Sequence, residues 1–104
     1  MMAEQNRNSQ KRRAMTQIRA VEAVLRRWDP IGTVPGIAGP ADEYDGYAPH
    51  IVTMALAGAS AHDLALHLSK LRTRSMGLRE DPASDEVFAL EVIEALQPWL
   101  TYYR

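Results

Sequence analysis

The reading of the fold turns on "MTQIRAVEAVLRRWDPIG", residues 15–32. Met15, Ile18, Val21, Leu25 and Trp28 recur in it at steps of three and four, while Arg12, Arg19, Glu22 and Arg26 face elsewhere. That spacing predicts an amphipathic helix with one apolar stripe. Pro30 ends it, because the residue before a proline is pushed out of the α region. Towards the N-terminus the pattern holds to about Gln10, and residues 1–9, polar and without a period, are expected to be a disordered tail.

Beyond "WDPIG" the segment "IGTVPGIAGPADE" sets glycines and prolines among small apolar residues, which predicts a long loop. A loop of that length either carries function or is ordered by its own apolar members, here Ile31, Val34 and Ile37. A second helical pattern begins near Asp42, with Tyr44, Tyr47, Ile51, Met54 and Ala55 on one face. Pro49 either lies in its first turn, if the cap is at Asp45, or kinks it, if the helix starts at Asp42.

"GASAHD" predicts a helix-to-helix junction, with Gly58 at the left-handed C-terminal position and Ser60 and Asp63 forming a capping box. The third helix then carries Ala61, Leu64, Leu68 and Leu71 on its stripe, with Leu66 and His67 nearer the flank, and stops at Gly77 with Leu78 folding back. Lys70, Arg72 and Arg74 are expected to face the negative end of its dipole. The fourth starts at Asp81 with Pro82 in first position, or at Ser84. Its apolar members are Val87, Phe88, Leu90, Val92, Ile93, Leu96, Trp99 and Leu100, and Pro98 is expected to bend or break it. No strand alternation persists, so the expected fold is all-α: one compact domain over residues 10–104, a bundle of about four helices with a long Gly/Pro loop between the first two.

Composition narrows the functional classes. The chain has 104 residues, one domain's worth, and no cysteine, so neither disulfides nor thiolate chemistry is open to it. No apolar run approaches the ~20 residues of a membrane span and no signal-type apolar segment follows the basic N-terminus; a cytoplasmic location without membrane association is expected. The net charge of -1 conceals alternating blocks: +5 over residues 1–27, -5 over 28–69, +4 over 70–79 and -5 over 80–104. Such blocks either answer one another within the fold or present opposed patches to partners.

Candidate chemistry is sparse. His62 and His67 are five residues apart, off the i, i+4 spacing of a helical metal site, and His50 stands alone. The acids Asp42, Glu43 and Asp45, with Asp29 near, could hold a divalent ion or act as an acid and base pair, but they miss the Ca-loop spacing, and acids at a helix start stabilise its positive end. No phosphate-binding glycine loop or nucleophile elbow occurs. Gln10 to Arg13 with Arg19, Arg26 and Arg27 could meet phosphates, yet the near-neutral balance and the acidic second and fourth helices make nucleic acid an unfavoured partner.

What remains is surface. Trp28, Trp99, Tyr44, Tyr47, Tyr102 and Tyr103 are of the types that dominate interfaces, and "DEYDGY" would suit a basic partner. The alternative is that Tyr44 and Tyr47, which lie on the apolar stripe, pack in the core behind "WDPIG". Asp42, Glu43, Asp45, Tyr47 and His50 are the expected partner-binding residues, with Asp42, Glu43 and Asp45 free, Trp28 buried and Asp29 hydrogen-bonded inside the fold.

The order "WDPIG", "DEYDGY", "GAS" and a leucine-rich helix ending "MGL" resembles the YugE-like family of small helical bacterial proteins of unknown function, over residues 21–78. The resemblance implies a small all-helical fold with Trp28, Asp29, Pro30, Ile31, Gly32, Asp42, Tyr44, Asp45, Tyr47, Gly58 and Gly77 as shared positions, and no catalytic residue. The loop "TVPGIAGPA" and the basic N-terminal extension depart from it. Proteins similar to these are proposed as immunity proteins of bacterial toxin systems. The expectation is therefore a non-enzymatic interaction protein without cofactor or metal, binding a toxin domain. Alternatives are a small self-associating or regulatory domain and, last, a carboxylate-based metal enzyme on Asp29, Asp42, Glu43 and Asp45.

Overall fold

The computed structural model describes residues 2–33, 36–37, 39–40 and 42–100. Four helices account for most of them: α1 (Met2–Trp28), α2 (Ala48–Leu56), α3 (Ala61–Lys70) and α4 (Pro82–Leu100). A 3-10 turn, Asp45–Tyr47, leads into α2, and a π turn, Leu71–Ser75, extends α3. The bundle is all-α, with no strand element among the described residues, and no helix is long and apolar enough to cross a membrane.

Each helix gives one face to a common core. Val21, Val24, Leu25 and Trp28 come from α1, Ala48, Ile51, Val52 and Ala55 from α2, Leu64, Ala65 and Leu68 from α3, and Ala89, Val92, Leu96 and Leu100 from α4. Tyr44 enters the same core from the turn before α2 and is wholly buried. Burying such side chains at about 1.5–3 kcal/mol each is the main force holding the helices together.

The ends of the helices follow local chemistry. Gly58, at φ 97°, ends α2: the Ala59 N–H reaches the Met54 carbonyl at 3.0 Å and the Gly58 N–H the Ala55 carbonyl at 3.1 Å, closing the last turn. The Ser60 hydroxyl then accepts from the Asp63 N–H while the Asp63 carboxylate accepts from the Ser60 N–H, each at 3.1 Å, the expected capping box. Gly77 is left-handed at φ 67°, and the Leu78 N–H folds back onto the Arg72 carbonyl at 2.9 Å. Of the two starts for α4, Asp81 with Pro82 is the one used: the Asp81 carboxylate accepts from the Ser84 N–H at 3.2 Å. Pro49 occupies the first turn of α2, where its missing N–H costs nothing.

Several expectations are corrected. The segment foreseen as a tail, residues 1–9, is helical from Met2. No glycine or proline interrupts the chain before Trp28, and extending a nucleated helix fixes only one residue per added bond. Met15 belongs to this exposed part (46% exposed), so the buried stripe of α1 starts only at Gln17 and Ile18. The helical pattern foreseen from Asp42 begins instead as a 3-10 turn at Asp45. Pro98 does not break α4, which runs on to Leu100; the ring removes one bond in an exposed turn, while Trp99 and Leu100 still pack on the core. Val87 and Leu90 of α4 face outwards, 54% and 58% exposed, because the buried phase is set by Asp85, Ala89, Val92, Leu96 and Leu100. In the segment joining α1 to α2, Ile31 and Ile37 are also exposed, so they do not order it by packing; Val34 and part of the long Gly/Pro loop lie outside the described residues.

Candidate interaction surface

The Asp29 carboxylate ties the end of α1 to the turn before α2. Asp29 sits in the left-handed region at φ 36°, a conformation that aspartate tolerates better than most residues, and its N–H still donates to the Leu25 carbonyl at 3.1 Å. Its Oδ1 accepts from the Thr33 N–H at 3.0 Å and from the Tyr44 hydroxyl at 2.5 Å. The Tyr44 oxygen in turn accepts from the Ile31 N–H at 3.2 Å. Burial, and then the bond to Asp29, hold the phenol above its ordinary pKa, so it remains a donor. The Tyr44 ring meets the Trp28 indole edge-on at 5.9 Å between centroids. Asp29 and Trp28 thus take the internal roles expected of them. Of the two readings of the tyrosines, Tyr44 follows the core one.

Gly39 has its own geometric requirement. A Cβ there would lie 2.8 Å from the Thr33 Cβ, so the loop passes over Thr33 at a distance only glycine allows.

The remaining acids divide. Asp42 and Glu43 are exposed. Asp45 is not free: the Arg26 Nη2 donates to its Oδ2 at 2.8 Å and the Arg26 Nε to its Oδ1 at 3.4 Å. The expectation that Asp45 is left for a partner is corrected on this point, because the turn brings it within reach of Arg26 in the last turn of α1. Asp45 also keeps the Arg26 guanidinium firmly protonated. Tyr47 is half-buried against the core and His50 is exposed one turn further on. With Asp29 inside, Asp45 on Arg26, and Asp42 and Glu43 outside, the four carboxylates do not converge, and no group of three or more His, Asp or Glu is placed to share a metal ion among the described residues. Tyr102 and Tyr103 lie outside those residues.

Two clusters did not emerge from the sequence pattern. At the opposite end of the Trp28 side chain, the indole Nε1 donates to the Asp85 Oδ1 at 2.9 Å. Arg72 meets the same carboxylate through Nε and Nη2 at 3.1 and 2.9 Å, and its guanidinium lies 5.5 Å from the centre of the Trp28 ring. Asp85 and Arg72 are both buried, and among the described residues no buried side-chain nitrogen or oxygen lacks a hydrogen-bond partner. Arg72 lies in the last turn, as its place near the negative end of the dipole implies, and within the π turn it is buried beside Leu71. The available signal was phase: Asp85 precedes Ala89 by four on the stripe of α4, and Arg72 follows Leu68 by four on that of α3.

The second cluster pairs His50 of α2 with His67 of α3, ring centres 5.0 Å apart. Burial first, then the charge of His50 and of Lys70, lowers the His67 pKa. A histidine whose pKa is lower folded than unfolded binds more protons unfolded, so the stability it carries is full above its ordinary pKa of about 6.5 and is lost as the pH falls through and below it. The urea midpoint is therefore expected to drop between about pH 7.5 and pH 5.5, and to drop less in His67→Asn. An equal drop in the variant would refute the assignment.

Comparison of the chain with protein-family models, with curated proteins and with solved structures finds no match.

Proposed function

We propose that this chain is a non-catalytic interaction protein, an immunity protein of the kind its YugE-like resemblance implies, that neutralises a toxin domain by covering a basic surface on it. The contact is made by Asp42 and Glu43, with Tyr47 and His50 beside them. The observation that carries this reading is how the two acids are held. They are exposed on a turn whose next residue, Tyr44, is wholly buried and hydrogen-bonded to Asp29. A backbone anchored beside them in this way loses little freedom on binding, and exposed like charges steer a cationic partner into the encounter. Neutralisation of such a toxin in the producing cell would take place in its cytoplasm.

The test is co-expression with the product of the adjacent gene. A stable complex is expected, with growth protected, and the double variant Asp42→Lys/Glu43→Lys is expected to slow association by about tenfold or more while leaving the unfolding midpoint near that of the parent. Absence of any complex, or a complex indifferent to the double reversal, would refute the reading.

A further inference from the structure

The N-terminal part of α1 carries cations that nothing in the described chain answers. Arg7, Lys11, Arg12, Arg13 and Arg19 are exposed, and none of them belongs to an ion pair among the described residues. Arg26 and Arg27, at the other end of the same helix, are both paired, with Asp45 and Glu91. Every residue from Arg7 to Thr16 is exposed, so this part of the helix has left the core. A solvated helical arm of this length is marginal alone. Its Lys11, Arg12, Met15, Thr16 and Arg19 line one shallow surface, an exposed methionine set among three cations.

The reverse arrangement occurs between α3 and α4. Ala61, His62, Glu86 and Leu90 line a groove of about 270 Å³, which continues past Leu66 towards Glu80. Leu66 and Leu90 are each at least half exposed along it. Glu80 and Glu86 line the groove with them, are exposed and form no ion pair among the described residues.

We propose that this groove receives the basic arm of α1 from a second copy of the chain, and that the exchange is reciprocal, giving a two-fold homodimer. Met15 of the arm meets the aliphatic floor of Leu66 and Leu90, and Lys11, Arg12 and Arg19 meet the carboxylates at its rim. A cationic rim around an apolar centre faces an acidic rim around an apolar floor, so a single copy displays both halves of the contact. A surface that matches another patch of the same molecule closes into a dimer when both contacts form about one axis. Because the rim pairs are solvated, the association is modest and salt-sensitive. The surface is separate from Asp42 and Glu43, so it stands or falls independently of the proposed toxin contact.

Sedimentation of the full chain over a wide concentration range tests this. A monomer–dimer equilibrium is expected at low salt, weakened by about tenfold or more at high salt. Glu86→Lys alone, and Arg12→Glu/Arg19→Glu alone, should each be monomeric with unchanged helical circular dichroism. Mixed in equal amounts they should form a heterodimer, since each then offers the charge the other lacks. A parent chain that stays monomeric at all concentrations overturns the proposal. So does a dimer that survives both variants, or a mixture that fails to associate. A dimer abolished only by Asp42→Lys/Glu43→Lys would place the interface on the acidic turn and equally overturn it.

Discussion

Asp85→Ala is expected to destabilise the fold by about 3–5 kcal/mol, as for a buried charge that loses its partner. The carboxylate is 1% exposed and accepts from the Trp28 indole and from two nitrogens of Arg72. Its removal leaves the Arg72 guanidinium buried without an anion and the indole N–H without an acceptor, and both penalties fall on three helices at once. For a domain whose whole stability is about 5–15 kcal/mol, that is a large share. The double variant Arg72→Met/Asp85→Leu should lose clearly less than the single one, because replacing both charges leaves nothing unpaired. Urea unfolding of the parent and the two variants measures this. A single variant within about 1 kcal/mol of the parent would mean that solvent reaches Arg72 and that the cluster does not hold the bundle.

Tyr44→Ala should cost about 3–5 kcal/mol, as for a large aromatic ring removed from a packed core. Tyr44 is wholly buried and its ring packs against Trp28. Tyr44→Phe separates the two contributions of the side chain. The ring stays, while the Asp29 carboxylate loses one donor and the Ile31 N–H its acceptor. A loss of about 1–2 kcal/mol is expected for the hydroxyl. In the same variant the turn bearing Asp42 and Glu43 loses its tie through Asp29 and keeps the Arg26–Asp45 pair, so amide exchange over residues 42–45 should quicken more than in the core of α4. Unchanged exchange there would show that Tyr44 packing and the Arg26–Asp45 pair hold the turn without the hydroxyl.

Much of the fold was legible because it rests on near-neighbour chemistry. The stripe Val21, Leu25, Trp28 comes from helical periodicity, and the stop at Asp29 from the proline that follows it. Gly58 at φ 97° and the reciprocal Ser60–Asp63 cap are decided within a few residues of chain. Where the expectation failed, a distant residue had intervened. Val87 and Leu90 belong to the apolar set of α4, yet the face that is buried is the one containing Asp85, because Arg72 and Trp28 wait on that side with donors for it. The acidic stretch divided for the same kind of reason. Asp42, Glu43 and Asp45 look alike in sequence, but only Asp45 lies where Arg26, nineteen residues earlier, can reach it.

Read alone, then, the chain specified helices, their caps and the buried role of "WDPIG", since spacing, proline and glycine act through local sterics and local hydrogen bonds. The assembled bundle decided which charges are spent inside and which remain on the surface. Whether Arg72, Asp85 or Asp45 finds a partner depends on which side chain another element brings within about 3 Å, the distance that hydrogen bonding demands.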